Sequence, residues 1–163
     1  MMNIVVIGMM GEGKTTVIKR YMEGKRALAY DVQNEYRELA DDTRKQRSRV
    51  SPVDMKYIDF VKLCRTKRNT VCIFEDATGF ISGRLEDDFK QFLVEKRHTG
   101  NVSVLVFHSI VDVPPNVLRL CDIVILFKTK DEAHYVEKKY PSLLKYYYDL
   151  LKKPQYSYHL IKR

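Results

Sequence analysis

The chain has 163 residues, 45% hydrophobic and 31% charged, enough to bury about 68–70% of its unfolded surface without disulfides or a structural metal. Cys64, Cys72 and Cys121 are odd in number, share no C-x-x-C spacing and lie in apolar runs, which excludes a disulfide framework or zinc ribbon and points to a reducing compartment. A net charge of +8 and a pI near 9.3 favour polyanionic partners, nucleic acid before an acidic membrane.

The first predicted element is a buried strand, Asn3 to Ile7. It leads directly into Gly8-Met9-Met10-Gly11-Glu12-Gly13-Lys14-Thr15, which fits G-x-x-x-x-G-K-S/T. The glycines let consecutive N–H groups turn inward around phosphate oxygens. Lys14 brings a point charge to the β and γ phosphates, and the Thr15 hydroxyl can ligate Mg²⁺, all at a helix N-terminus. The motif therefore predicts a nucleoside triphosphate with Mg²⁺, held by Gly8, Gly11, Glu12, Gly13, Lys14, Thr15 and Thr16.

Lys14 to Glu23 is the expected first helix, followed by a strand over Ala27 to Asp31. Met55, Ile58, Val61 and Cys64 recur at helical spacing before a strand at Thr70 to Phe74. That strand runs into Glu75-Asp76, an acid pair following four apolar residues, as in a Walker B strand end. By position Glu75 is assigned to the metal and Asp76 to the attacking water. The usual order is Asp then Glu, so the division of roles stays open, as does the reading of two acids capping the next helix.

Leu85, Phe89, Phe92 and Leu93 mark a helix ahead of the strand Val102 to Phe107. That strand ends in His108-Ser109, where a polar group can sense the γ-phosphate. A further strand covers Asp122 to Phe127. Leu143, Leu144, Tyr147, Leu150 and Leu151 form an amphipathic stripe that docks on the body, and Pro154 stops that helix. Strands apolar on consecutive positions and alternating with helices predict a three-layer α/β sandwich with a mainly parallel sheet, the P-loop NTPase architecture. Nothing divides the chain, so residues 1–163 read as one P-loop ATPase domain. From about residue 152 it carries a basic aromatic tail, suited to base stacking, partner binding or a final edge strand.

Four segments together resemble the FtsK/HerA superfamily of DNA-pumping ATPases, and within it the compact genome-packaging ATPases of viruses. They are Gly8 to Thr16; Tyr30-Asp31-Val32-Gln33-Asn34-Glu35-Tyr36, similar to a D-x-x-x-E-Y/F segment; Glu75-Asp76; and Arg97-His98-Thr99-Gly100 with the strand ending at His108. His108 stands where the family often has Gln. The resemblance implies a RecA/FtsK-like core and a homo-oligomeric ring, usually a hexamer, that hydrolyses ATP between subunits and moves DNA. It further implies an arginine acting in trans, for which Arg97 and Arg119 are the candidates, and docking on a capsid or portal protein. Arg44, Lys45, Arg47 and Arg49 are placed to meet DNA phosphates without sequence readout.

Three other classes compete. A small-molecule P-loop kinase would use the arginines at 44 to 49 as a phosphate-clamping lid. A phage assembly or export ATPase shares the core but usually carries a membrane span, and no apolar stretch here approaches the roughly 18 residues that a span needs. A small GTPase fits Asp76-Ala77-Thr78-Gly79 as D-x-x-G but lacks the base-reading N/T-K-x-D. The expected location is cytoplasmic, in the host cytoplasm or on the virion if the chain is viral.

Overall fold

Alternation of side chains across each strand decides how the layers assemble. The computed structural model describes residues 2–38, 48–81, 83 and 85–163. Its strands are β1 (Asn3–Ile7), β2 (Ala27–Tyr30), β3 (Ser48–Val50), β4 (Val71–Phe74), β5 (Val102–Phe107), β6 (Ile123–Phe127) and β7 (Tyr158–Lys162). They form one sheet in the order β3-β2-β4-β5-β1-β6-β7. All neighbours are parallel except β6 and β7. The helices are α1 (Lys14–Met22), α2 (Tyr57–Arg65), α3 (Asp87–Val94), α4 (Lys96–Thr99), α5 (Pro115–Leu120), α6 (Ala133–Lys139) and α7 (Pro141–Leu151).

One sheet face sends Val5, Ile7, Leu28, Tyr30, Phe74 and Leu105 into a core shared with α2, α3, α5 and α7. The opposite face sends Ile4, Val6, Ala29, Ile73, Val104 and Val106 against Ile18 and Met22 of α1. Phe74 meets Phe60 of α2 and Phe89 of α3 edge-on at 5.1 and 5.2 Å, a favoured aromatic geometry that fixes both helices on the strand that ends in the acid pair. This is a three-layer α/β sandwich with a mainly parallel sheet, a P-loop NTPase fold. The cysteines are free and buried.

At the amino ends of the strands, neutral side chains clip the frame together. The Asn3 amide donates to the Leu93 and Leu120 carbonyls at 3.0 and 2.9 Å and accepts from the Ser103 hydroxyl at 2.7 Å. The Asn101 amide donates to the Cys64 and Lys67 carbonyls at 3.1 and 3.0 Å and accepts from the Thr70 N–H at 3.1 Å.

Two strands extend the sheet beyond the five apolar runs. Ser48-Arg49-Val50 is short and polar, and it takes its place through its ladder with β2. Tyr158–Lys162 alternates exposed and half-buried residues as an edge strand does, so the end of the basic aromatic segment is part of the sheet. Its last residue is also tied down, the Arg163 N–H donating to the Asp122 carbonyl at 2.9 Å. Helix α7 ends at Leu151, shortly before Pro154. Among the described residues no helix is long and apolar enough to cross a membrane.

Candidate functional site

The strand order sets the carboxyl ends of β4, β5 and β1 side by side, and each strand is followed by a residue of the candidate machinery: Glu75, His108 and Gly8. A cavity of about 270 Å³ opens there, lined by Gly13, Lys14, Thr15, Glu35, Glu75 and His108 among others. Gly11 and Thr16 line it too.

The loop's backbone depends on glycine at two positions for different reasons. Gly13 has φ +87°, a left-handed conformation that lets α1 begin directly behind the loop. Gly8 is limited by space: a Cβ there would lie 2.6 Å from the Phe127 Cβ of β6. Lys14 is buried, and its ammonium donates to the Gly8 and Met9 carbonyls at 2.7 and 3.0 Å. Burial lowers its pKa, while Glu75, Glu35, Asp76 and Glu12 oppose that shift. Glu12, also buried, accepts the backbone N–H of Tyr156 at 3.3 Å.

The acids are arranged in depth. Glu75 is 1% exposed, and the Tyr36 hydroxyl donates to it at 3.1 Å. Burial first, then the Glu35 charge, push the Glu75 carboxyl up to about 7. Burial and Glu75 in turn push the Tyr36 phenol far above its ordinary range. Glu35 accepts the Thr15 hydroxyl. The segment after β2 is wrapped around buried Asp31, which accepts the N–H groups of Glu35 and Tyr36 at 2.8 and 3.0 Å, and this brings both side chains to the site.

Asp76 adopts φ +49°, uncommon for a residue with a Cβ. Its carboxylate lies 3.4 Å from His108 Nε2. The other ring nitrogen, Nδ1, lies 3.5 Å from the Lys14 ammonium, and Gln33 Nε2 is 3.4 Å from His108 Nε2. Lys14, His108 and Asp76 thus form a continuous polar chain from the phosphate loop to the end of β4.

Mg²⁺ fits this donor set. Thr15 and Glu75, both lining the cavity, offer hard oxygen ligands. That combination suits an ion which keeps several waters and takes its other ligands from substrate phosphates.

The structure brings together Lys14, Thr15, Glu75, Asp76 and His108, and it leaves the two candidate arginines elsewhere. Arg97 on α4 precedes β5, and Arg119 near the end of α5 precedes β6, so both stand toward the amino ends of the strands. Arg44, Lys45 and Arg47 lie outside the described residues. Arg49 on β3 turns inward, donating to Asn34 and approaching Asp31 at 4.0 Å. Sequence reasoning assigned no site role to Gln33, Glu35, Tyr36 or Tyr156. An Asp closing an apolar strand four residues before Glu-Tyr is the available signal for the first three, whereas Tyr156 reaches the loop only through the chain's return 144 residues later.

A phosphate loop between β1 and α1, an acid pair after β4 and a polar residue after the intervening β5 define the class: a P-loop NTPase fold. No protein-family model matches the chain, and no curated protein matches it. Its fold is similar to that of B204, the DNA-packaging ATPase of Sulfolobus turreted icosahedral virus. The two are 20% identical, with a TM-score of 0.79 over 99% of this chain and 92% of that one. The genome packaging NTPase B204 of Sulfolobus turreted icosahedral virus 2, in complex with ATP-gammaS, is 19% identical, with a TM-score of 0.76 over 99% and 91%. The N-terminal domain of zonular occludens toxin from Neisseria meningitidis shares the fold more loosely, at 15% identity and TM-score 0.53 over 79% and 78%.

Proposed function

We propose that this chain is a Mg²⁺-dependent ATP hydrolase that drives DNA translocation, of the viral genome-packaging kind. The carrying observation is that His108 lies beside both Lys14 and Asp76, joining the cation that meets the γ-phosphate to the acid that faces the attacking water. The likeness in fold to B204 over nearly the whole of both chains supports it, as does a charge of +8 suited to a phosphate backbone.

Lys14 exchanges the carbonyls of Gly8 and Met9 for the β and γ phosphates, whose charged oxygens bind an ammonium more strongly than neutral carbonyls do. Loop N–H groups and the start of α1 hold the remaining phosphate oxygens. Mg²⁺, when bound, would supply neutralisation of the charge that develops on the phosphates. Thr15 and Glu75 would hold it, Thr15 giving up its bond to Glu35. Asp76 orients water and takes its proton as the water oxygen bonds to the γ-phosphorus and the bond to the bridging oxygen of ADP breaks. His108 then registers the loss of the γ-phosphate through Lys14. In a homo-oligomeric ring, a hexamer in the family's usual form, Arg97 or Arg119 of a neighbouring subunit stabilises the developing charge. Its partners are DNA, bound through its phosphates, and a capsid or portal protein, in the host cytoplasm or on the virion.

Steady-state ATP hydrolysis with and without long double-stranded DNA, at two salt concentrations and several protein concentrations, tests the reading. Stimulation that weakens with salt and rises cooperatively with protein is expected. Phosphoryl transfer that appears only with a small acceptor, and no response to DNA, would instead make the chain a kinase.

A further inference from the structure

After α7 the chain does not go straight to β7. It first crosses the phosphate loop, where the Gln155 side-chain amide donates to the Gly11 carbonyl at 3.3 Å and the Tyr156 N–H donates to the buried Glu12 carboxylate at 3.3 Å. Tyr156 is held at φ +66°, an outlier for a bulky residue, and such strain collects at ligand clamps. The strained backbone delivers the ring to the loop: a Cβ on Gly13 would lie 3.3 Å from Tyr156 Cδ1. The side chain is nevertheless 62% exposed and lines the same cavity as Lys14, Thr15 and Glu75.

Its position across the sheet shows which part of a nucleotide it meets. Glu75 and His108, at the ends of β4 and β5, mark the γ-phosphate end, while Tyr156 precedes β7 on the opposite side of β1. Three inter-strand spacings, about 14 Å, separate β5 from β7, so the chain brings Tyr156 to the loop from the side away from the acids. An exposed aromatic face on that side of the cavity offers a stacking surface.

We infer that Tyr156 is the nucleobase platform of the site, pinned by Glu12 and indifferent to which base it receives. The inference rests on the reading of the cavity as a nucleoside triphosphate site. Stacking engages the π-face that every base possesses, so affinity rises without selection between adenine and guanine. Glu12 is thereby a positioning residue, acting through the backbone of Tyr156 rather than on phosphate.

Calorimetric titration of the full chain with ATP, GTP and inorganic triphosphate, each with Mg²⁺, tests the inference in wild type, Tyr156→Ala and Tyr156→Phe. The alanine variant keeps the backbone N–H that Glu12 accepts. It is expected to bind ATP and GTP each about 5- to 150-fold more weakly, the range for base–aromatic stacking, with inorganic triphosphate binding unchanged. The phenylalanine variant should match wild type. Equal weakening for ATP and inorganic triphosphate, an unchanged ATP affinity, or a phenylalanine variant as weak as alanine would each overturn the platform while leaving the nucleotide site standing. A wild-type chain that binds neither ATP nor inorganic triphosphate would overturn both.

Discussion

At the amino end of the sheet buried Asn3 and Asn101 are neutral and bond mostly to backbone groups, whereas at the carboxyl end titratable side chains gather around the cavity and several of them also face one another. Asn3 and Asn101 bridge helix ends and loops through hydrogen bonds of 2.7–3.1 Å. Lys14, His108 and Asp76 sit 3.4–3.5 Å apart, beside a carboxyl that burial holds near neutrality. Fully satisfied neutral groups rigidify a frame. Titratable groups gathered around a cavity are candidates for the partners of a ligand. The same fold thus separates holding from reacting along the length of its strands.

Substitutions at the two ends should therefore fail differently. The largest effect is expected for Asp76→Asn, which should slow ATP hydrolysis by about 10²–10⁴-fold with nucleotide still bound. Rapid-quench turnover measured beside equilibrium binding checks this, and equal losses in both would remove Asp76 from the chemistry.

Next comes Glu75, whose carboxyl is held up to about 7 against an ordinary 4.5. Between those values the folded chain keeps a proton that the unfolded chain has released. Stability therefore falls as pH rises through that window, and the full penalty stands above it. Glu75→Gln retains an acceptor for the Tyr36 hydroxyl and removes the charge. Without nucleotide or metal, it should stabilise the chain by about 3 kcal/mol above neutrality and by nothing below about pH 4.5. Melting curves across that pH range read the difference, and a gain independent of pH would show that charge is not its source.

At the other end, Asn101→Ala should cost about 2–3 kcal/mol of stability by stranding two carbonyls and an N–H, with ATP affinity intact. Denaturant melts and calorimetry on the same sample separate the two readouts, and a large loss of affinity would erase the contrast between the ends. The smallest effect is expected at His108. Replacement by Ala should slow hydrolysis about fivefold to tenfold, about 1 kcal/mol of barrier, and Gln should restore it because an amide can also face Lys14 and Asp76. A Gln variant as slow as Ala would show that the imidazole itself is needed.

How much of this was legible in the sequence depended on how far apart the cooperating residues lie. The loop from Gly8 to Thr15 is contiguous, and β1 and β5 announce themselves by consecutive apolar residues with the boundaries observed. Glu75 and His108 were legible as polar ends of such runs. β3 was hidden because three residues with one apolar side chain carry no period, whereas β7 was one of three readings open for the tail, because its alternation is as compatible with a partner-binding segment as with an edge strand. The bonds Thr15–Glu35, Tyr36–Glu75 and Glu12–Tyr156 span 20, 39 and 144 residues. No local pattern encodes such pairings, since strand order decides them.

The ammonium of Lys14, resting on the carbonyls of Gly8 and Met9, also bears on the kinetics of nucleotide entry. A cation enclosed by its own loop acts as an internal template, keeping the surrounding backbone near the curvature an anion requires. Under the proposed function, arrival of a triphosphate is then an exchange of partners at one nitrogen rather than a refolding of the loop.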